Sequence, residues 1–160
     1  MKHYFFIVLI ILGISPAFPQ FIKPLTLESV VENCPDKKKI DSILVKEGFK
    51  FTKSLKQEDG IEYRYSKAKS KETKSQDISL SILSDGYCFL SLTSKDKKFL
   101  KYFSAELLKC GYILEGEAPQ RTGNVIQSYG NLKYVIQLFQ IVEQDNSNLY
   151  YLEIRSKSVN

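Results

Sequence analysis

Glu115 and Glu117 flank Gly116 in the run YILEGE, and paired carboxylates can act as acid and base on a glycosidic bond. Two residues apart on one strand, both point the same way, with about 6–7 Å between their Cα atoms. The same spacing is common at solvated strand ends beside turns, so a carboxylate-dependent hydrolase ranks behind two non-catalytic readings. Imidazole chemistry is closed off more firmly. The chain has one histidine, His3, and it lies inside an N-terminal leader. A Ser-His-Asp or Cys-His arrangement needs an imidazole to take the nucleophile's proton near neutral pH. Zinc sites without imidazole rest on several Cys or carboxylates. The sequence therefore assigns no catalytic residue, no cofactor and no metal ligand.

Three cysteines, Cys34, Cys88 and Cys110, allow one intramolecular bridge and leave one thiol over. Cys88 and Cys110 both fall on predicted inward faces and could pair. Cys34, just before Pro35 at a helix start, could form the bridge instead, and the sequence does not choose. A catalytic thiol would lack an imidazole partner, so bridging or burial is the expected role.

The leader reads MKHYFFIVLIILGISPAFPQ, with Lys2 ahead of an apolar run from Tyr4 to Ile14 and then Ser15-Pro16-Ala17. That is the layout of a secretory signal peptide, residues 1–17, cleaved after Ala17. Crossing a bilayer takes roughly 20 apolar residues; this run is shorter and ends at Pro16 and Pro19, so no transmembrane anchor is expected. The expected location is periplasmic or extracellular, where disulfides persist. The formal charge is +5. With no nucleic-acid-binding motif beside it, nucleic acid is not an expected partner.

The elements that must position these residues show an internal echo. LVKEGFKF (44–51) resembles LLKCGYIL (107–114), and YCFLSLTSK (87–95) aligns with LYYLEIRSK (149–157) at nearly the same offset. Such self-similarity predicts a repeat. In each copy a helix stops at a glycine, Gly48 or Gly111, which takes the left-handed conformation without a Cβ clash. The first helix is expected over 35–47, with Ile40, Ile43 and Leu44 on one face. The second is expected from an N-cap at Ser94 to Cys110, burying Phe99, Phe103 and Leu107. Four strand-like runs follow each helix: FKFTKSL, IEYRYSK, DISLSIL and YCFLSLTS, then YILEGE, NVIQSY, LKYVIQLFQIV and NLYYLEIRS.

The expected fold is therefore α+β: a tandem repeat of a helix plus a four-stranded antiparallel meander, with the helices packed on one face of the sheet. Residues 18–34 form an N-terminal segment, 35–93 the first repeat and 94–160 the second, the two making one compact domain. The sequence does not decide whether the meanders fuse. This layout resembles the architectures of β-lactamase inhibitor protein and TATA-binding protein, a likeness of arrangement that carries no function.

Alternation puts Ile78, Leu80, Ile82, Cys88, Leu90 and Leu92 inward and Ser79, Ser81 and Ser91 outward. Tyr87, Phe89, Phe139 and Tyr151 then share the face away from the helices, a candidate partner-binding surface. The rival use of that face is a buried layer, covered by residues 18–33 or by a second copy in a homodimer. The insertion SKAKSKETKSQD (66–77) carries Lys67, Lys69, Lys71 and Lys74, a candidate site for an anionic partner, although composition of this kind usually marks a solvated hairpin tip. The function expected is a secreted or periplasmic, non-catalytic binding protein, an inhibitor, adaptor or envelope component whose partner is another protein or envelope macromolecule. A self-associating structural envelope protein is the alternative.

Overall fold

The computed structural model describes residues 21–69, 74–120 and 124–157. The leader, and Lys71 of the lysine-rich insertion, lie outside these residues. Among the described residues three helices and eight strands follow one another: α1 (Pro24–Glu32), α2 (Lys37–Lys46), β1 (Lys50–Gln57), β2 (Gly60–Lys67), β3 (Gln76–Leu83) and β4 (Cys88–Ser94). Then come α3 (Phe99–Lys109), β5 (Ile113–Pro119), β6 (Val125–Gly130), β7 (Tyr134–Val142) and β8 (Asn148–Ser156). No helix among the described residues is long and apolar enough to cross a membrane.

Helix α1 lies within the N-terminal segment expected over 18–34. Pro24 opens it, its fixed φ already suited to a first turn. Leu27, Val30 and Val31 then recur at helical spacing and are buried. Helix α2 is capped by Asp36, whose Oδ1 accepts from the backbone N–H groups of Lys38 and Lys39 at 3.1 and 3.2 Å. Helix α3 begins later than expected. Ser94 does not cap it but ends β4, where its Oγ donates to the Ser75 carbonyl and accepts from the Asp96 N–H. A short turn then leads into Phe99. Gly48 and Gly111 stop α2 and α3 at φ of 85° and 83°.

All strand pairs are antiparallel, and they form one eight-stranded sheet in the order β1-β2-β3-β4-β8-β7-β6-β5. The fold is α+β. The two meanders fuse because their last strands pair, Leu90 opposite Ile154 and Leu92 opposite Leu152. One hydrophobic core joins Leu27, Val30, Ile40, Leu44, Phe99, Phe103 and Leu107 from the helices to Ile78, Leu80, Leu90, Leu92, Ile136, Leu138, Leu152 and Ile154 from alternate strand positions. Phe21 and Ile22 are buried in the same core, Phe21 lying 5.6 Å from the Phe99 ring centre. Phe21 and Ile22 of the N-terminal segment thus belong to the core.

The disulfide joins Cys34 to Cys88, with Cα atoms 6.4 Å apart, and not Cys88 to Cys110. Helix α1 packs on β4 and β8, which brings Cys34, just past its end, to the first residue of β4. Helix α3 packs instead on β5, β7 and β8. Cys110 is the C-cap of α3, half-buried and free.

Candidate functional site

The strand register resolves the second sheet face into three cross-strand rows. Asp77, Thr93, Tyr151 and Phe139 form the first; Ser79, Ser91, Glu153 and Gln137 the second; Ser81, Phe89, Arg155 and Val135 the third. Tyr87 stands just outside β4 at the third-row end, its hydroxyl 3.5 Å from the Ser156 carbonyl oxygen. All four aromatic candidates are at this face, but not as one cluster. Phe139 and Tyr151 stack, with ring centres 5.0 Å apart and planes 4° from parallel. Phe89, 37 % exposed, lies two rows away beside Tyr87 and Arg155. Ser91, Glu153 and Gln137 of the second row separate the two groups.

Two depressions follow from that spacing. At the Phe89 end a cleft of about 150 Å³ is lined by Tyr87, Phe89, Val135, Gln137, Glu153 and Arg155. Nearer the stacked pair a wider groove of about 580 Å³ runs past Arg64, Asp77, Ser91, Thr93 and Tyr151. Burial, aided by the charges of Glu143 and Glu153, raises the pKa of the Tyr151 hydroxyl above its usual value. It stays a neutral donor and acceptor at physiological pH.

The charged residues of this face were not singled out from the sequence, although the alternation that placed the serines also places them. Glu62 is 7 % exposed and collects donors. Arg64 Nε lies 2.7 Å and Arg64 Nη2 3.2 Å away, Ser79 Oγ 2.5 Å and Gln57 Nε2 3.2 Å. The Arg64 hydrogen bonds, then that from Ser79, hold the Glu62 carboxyl below the usual carboxylate range against the opposing effect of burial. Because the folded pKa is the lower one, this contribution to stability is present above the unfolded value, near ~4.3, and fades as pH falls through the folded value. Glu62→Gln should therefore destabilise the protein at pH 6, with the gap to wild type narrowing on acidification. Urea unfolding at pH 6 and pH 3 measures it, and an equal gap at both would show that the carboxylate's charge is not the cause.

Arg155 is different. It is exposed, and no ion pair or side-chain hydrogen bond joins it to another described residue, whereas Arg64 is committed to Glu62.

Three of the four lysines of the insertion lie among the described residues. Lys69 and Lys74 are exposed, while the Lys67 ammonium sits 5.7 Å from the Phe49 ring centre, within reach of a cation–π contact. Glu115 and Glu117 do not share a side. A bulge in β5 between Leu114 and Gly116 inserts one residue and breaks the alternation. Glu115 ion-pairs with Lys157 at 3.0 Å over Gly130, where a Cβ would overlap its carboxylate. Glu117 pairs with Gln127 across the strands and accepts from its side-chain amide at 2.7 Å. The shared orientation that an acid–base pair requires is absent.

Burial, and then the neighbouring Glu106 and Glu28, push the Cys110 thiol pKa up, away from the thiolate form that attacks substrates. Among the described residues no group of three His, Cys, Asp or Glu side chains is placed to hold a metal ion.

Comparison of the chain with protein-family models, curated proteins and solved structures gave no match. The likeness of layout to β-lactamase inhibitor protein and TATA-binding protein therefore carries no argument, and function has to be read from the face itself.

Proposed function

We propose that this is an exported, non-catalytic binding protein, an inhibitor, adaptor or envelope component, that engages another macromolecule through the sheet face of Tyr87, Phe89, Phe139 and Tyr151. The observation that carries the reading is the register, which puts Phe89, Phe139 and Tyr151 on one face with Arg155, and with Arg64 opposite Ser79, among Ser91, Thr93, Gln137 and Glu153. Tyr, Phe and Arg are enriched at interface centres, Tyr and Arg most among the anchors. On this reading the three helices lie together over the opposite face and leave this one free. Contacts of α1 with β4 and β8, of α3 with β5, β7 and β8, and of α2 with β1 support that. Export is supported by the leader, and the Cys34–Cys88 disulfide is compatible with it.

The tandem repeat belongs to the same proposal. Both edge strands carry a bulge at matching positions, Thr52 in β1 and Glu115 in β5, and the glycine stops Gly48 and Gly111 also match. In the central pairing, Leu90 corresponds to Leu152 and Leu92 to Ile154. The observed partners, Leu90 with Ile154 and Leu92 with Leu152, exchange under a two-fold rotation through the Ser91–Glu153 pair. That is the geometry expected of two copies of one unit.

The test is affinity capture from the native envelope and secreted fractions, with residues 18–160 as bait. Wild type runs beside Phe89→Asp, both checked for folding by circular dichroism. A heterologous partner held by wild type and lost by the variant is the expected result. If light scattering shows only a dimer that Phe89→Asp disrupts, the face serves self-association, and if neither bait retains anything the reading fails.

A further inference from the structure

Within the proposed binding face, on which this inference rests, we infer that the anchor is Arg155, and that the partner is a protein loop presenting a carboxylate beside an apolar side chain. Phe89 and Val135 flank Arg155 in the same cross-strand row, and with Tyr87 they wall a cleft of about 150 Å³, room for one side chain. Any partner that fills this cleft strips water from the guanidinium. A charge desolvated without a counter-charge is strongly unfavourable, and no described residue of this chain is paired with Arg155. Glu153 lines the same cleft but is not paired with Arg155, so an anion from the partner is the inferred match for the guanidinium. A guanidinium takes a carboxylate through two parallel hydrogen bonds, which fixes direction as well as strength.

Glu153 sharpens the requirement. It lies two residues from Arg155 on the same side of β8, lines the same cleft and likewise makes no ion pair or side-chain hydrogen bond with a described residue. A docked loop has to meet it with a donor, a backbone N–H or a lysine. The cleft thus reads an acid, a donor and an apolar group in fixed order, which an extended loop supplies and a purely apolar surface does not.

The two-fold correspondence between the halves shows that this anchor is one-sided. Phe89 corresponds to Tyr151, but Arg155 corresponds to Thr93, so the opposite end offers a stacked aromatic pair and a hydroxyl where this end offers a cation. A partner lying across the face is oriented by that difference.

The test is selection from a phage-displayed library of short, disulfide-closed peptide loops, run in parallel on wild type, Arg155→Glu and Phe89→Asp. The enriched loops are then synthesised and titrated against each by fluorescence anisotropy. Wild type should enrich loops with Asp or Glu beside an aliphatic or aromatic residue. Their affinity for Arg155→Glu should fall about tenfold or more, and that variant should select Lys- or Arg-bearing loops instead. Arg155→Lys, which keeps the charge but not the fork, should fall between. Arg155 is exposed, so its variants are expected to fold, and circular dichroism checks them.

Loops that depend on Phe89 but not on Arg155, or that lack an acid, would overturn the anchor while leaving the binding face standing. Loops indifferent to both residues would overturn the two together. A concentration-dependent dimer lost in Arg155→Glu would make a second copy the occupant and overturn the inferred loop partner.

Discussion

Cys34→Ser should lower the unfolding free energy by about 4 kcal/mol, the loop-closure value for a bridge whose ends are 54 residues apart in sequence. The bridge encloses α2 and strands β1 to β3, so without it the unfolded chain recovers the freedom of that whole segment. For a chain of this size the midpoint of thermal unfolding should drop by roughly 8–16 °C. Cys88→Ser should cost a similar amount, and the double variant should cost little more than either single, because one constraint is lost only once. Cys110→Ser is the control. Its half-buried thiol has no covalent partner, so its loss should be much smaller. If Cys110→Ser proved as damaging as Cys88→Ser while Cys34→Ser was harmless, the pairing would be Cys88–Cys110 and the placement of α1 over β4 would be wrong. A small loss in all three would mean that the unfolded chain is already compact enough for the loop to add little.

The contrast between the two cysteine pairings shows where the sequence stops being legible. Alternation identified Cys88 as inward-facing, and helical spacing did the same for Cys110. Neither pattern says which helix lies over which strand. That depends on α1, whose signal in the sequence is confined to Pro24 and the spacing of Leu27, Val30 and Val31. The strands were legible to within a few residues because short runs such as DISLSIL alternate cleanly and glycines or turn residues separate them. Their fusion was not legible, since β4 pairs with β8 across some sixty residues and no local pattern encodes a long-range partner. The aromatic face was readable from alternation alone. Its division into a stacked pair and a separate cleft beside Arg155 needed the cross-strand register. The expectation that Glu115 and Glu117 point the same way failed for a similar reason. A single extra residue in a bulge reverses every later side chain, and one residue of slip leaves little trace in composition.

Phe103→Ala should destabilise the fold by about 3–5 kcal/mol, while Phe89→Asp should stay within about 0.5–1 kcal/mol of wild type. Phe103 is 0 % exposed. Its ring sits among Phe99, Tyr102 and Phe21, with centre distances of 4.7, 5.1 and 6.0 Å. Truncation removes the transfer energy of a whole ring and opens a cavity whose walls are themselves rigid rings, so little collapse can offset the loss. Phe103→Leu should recover part of it by refilling volume without restoring the edge contacts. Phe89 already meets solvent and supports no such layer. Urea unfolding followed by circular dichroism measures both variants, and the difference between them separates the two roles assigned to aromatic residues here. Phe103 holds α3 to the sheet and should act on binding only through folding. Phe89 should affect binding with the fold intact. If Phe89→Asp instead cost as much as Phe103→Ala, its side chain would be part of a second core, and the face it occupies would be covered rather than free.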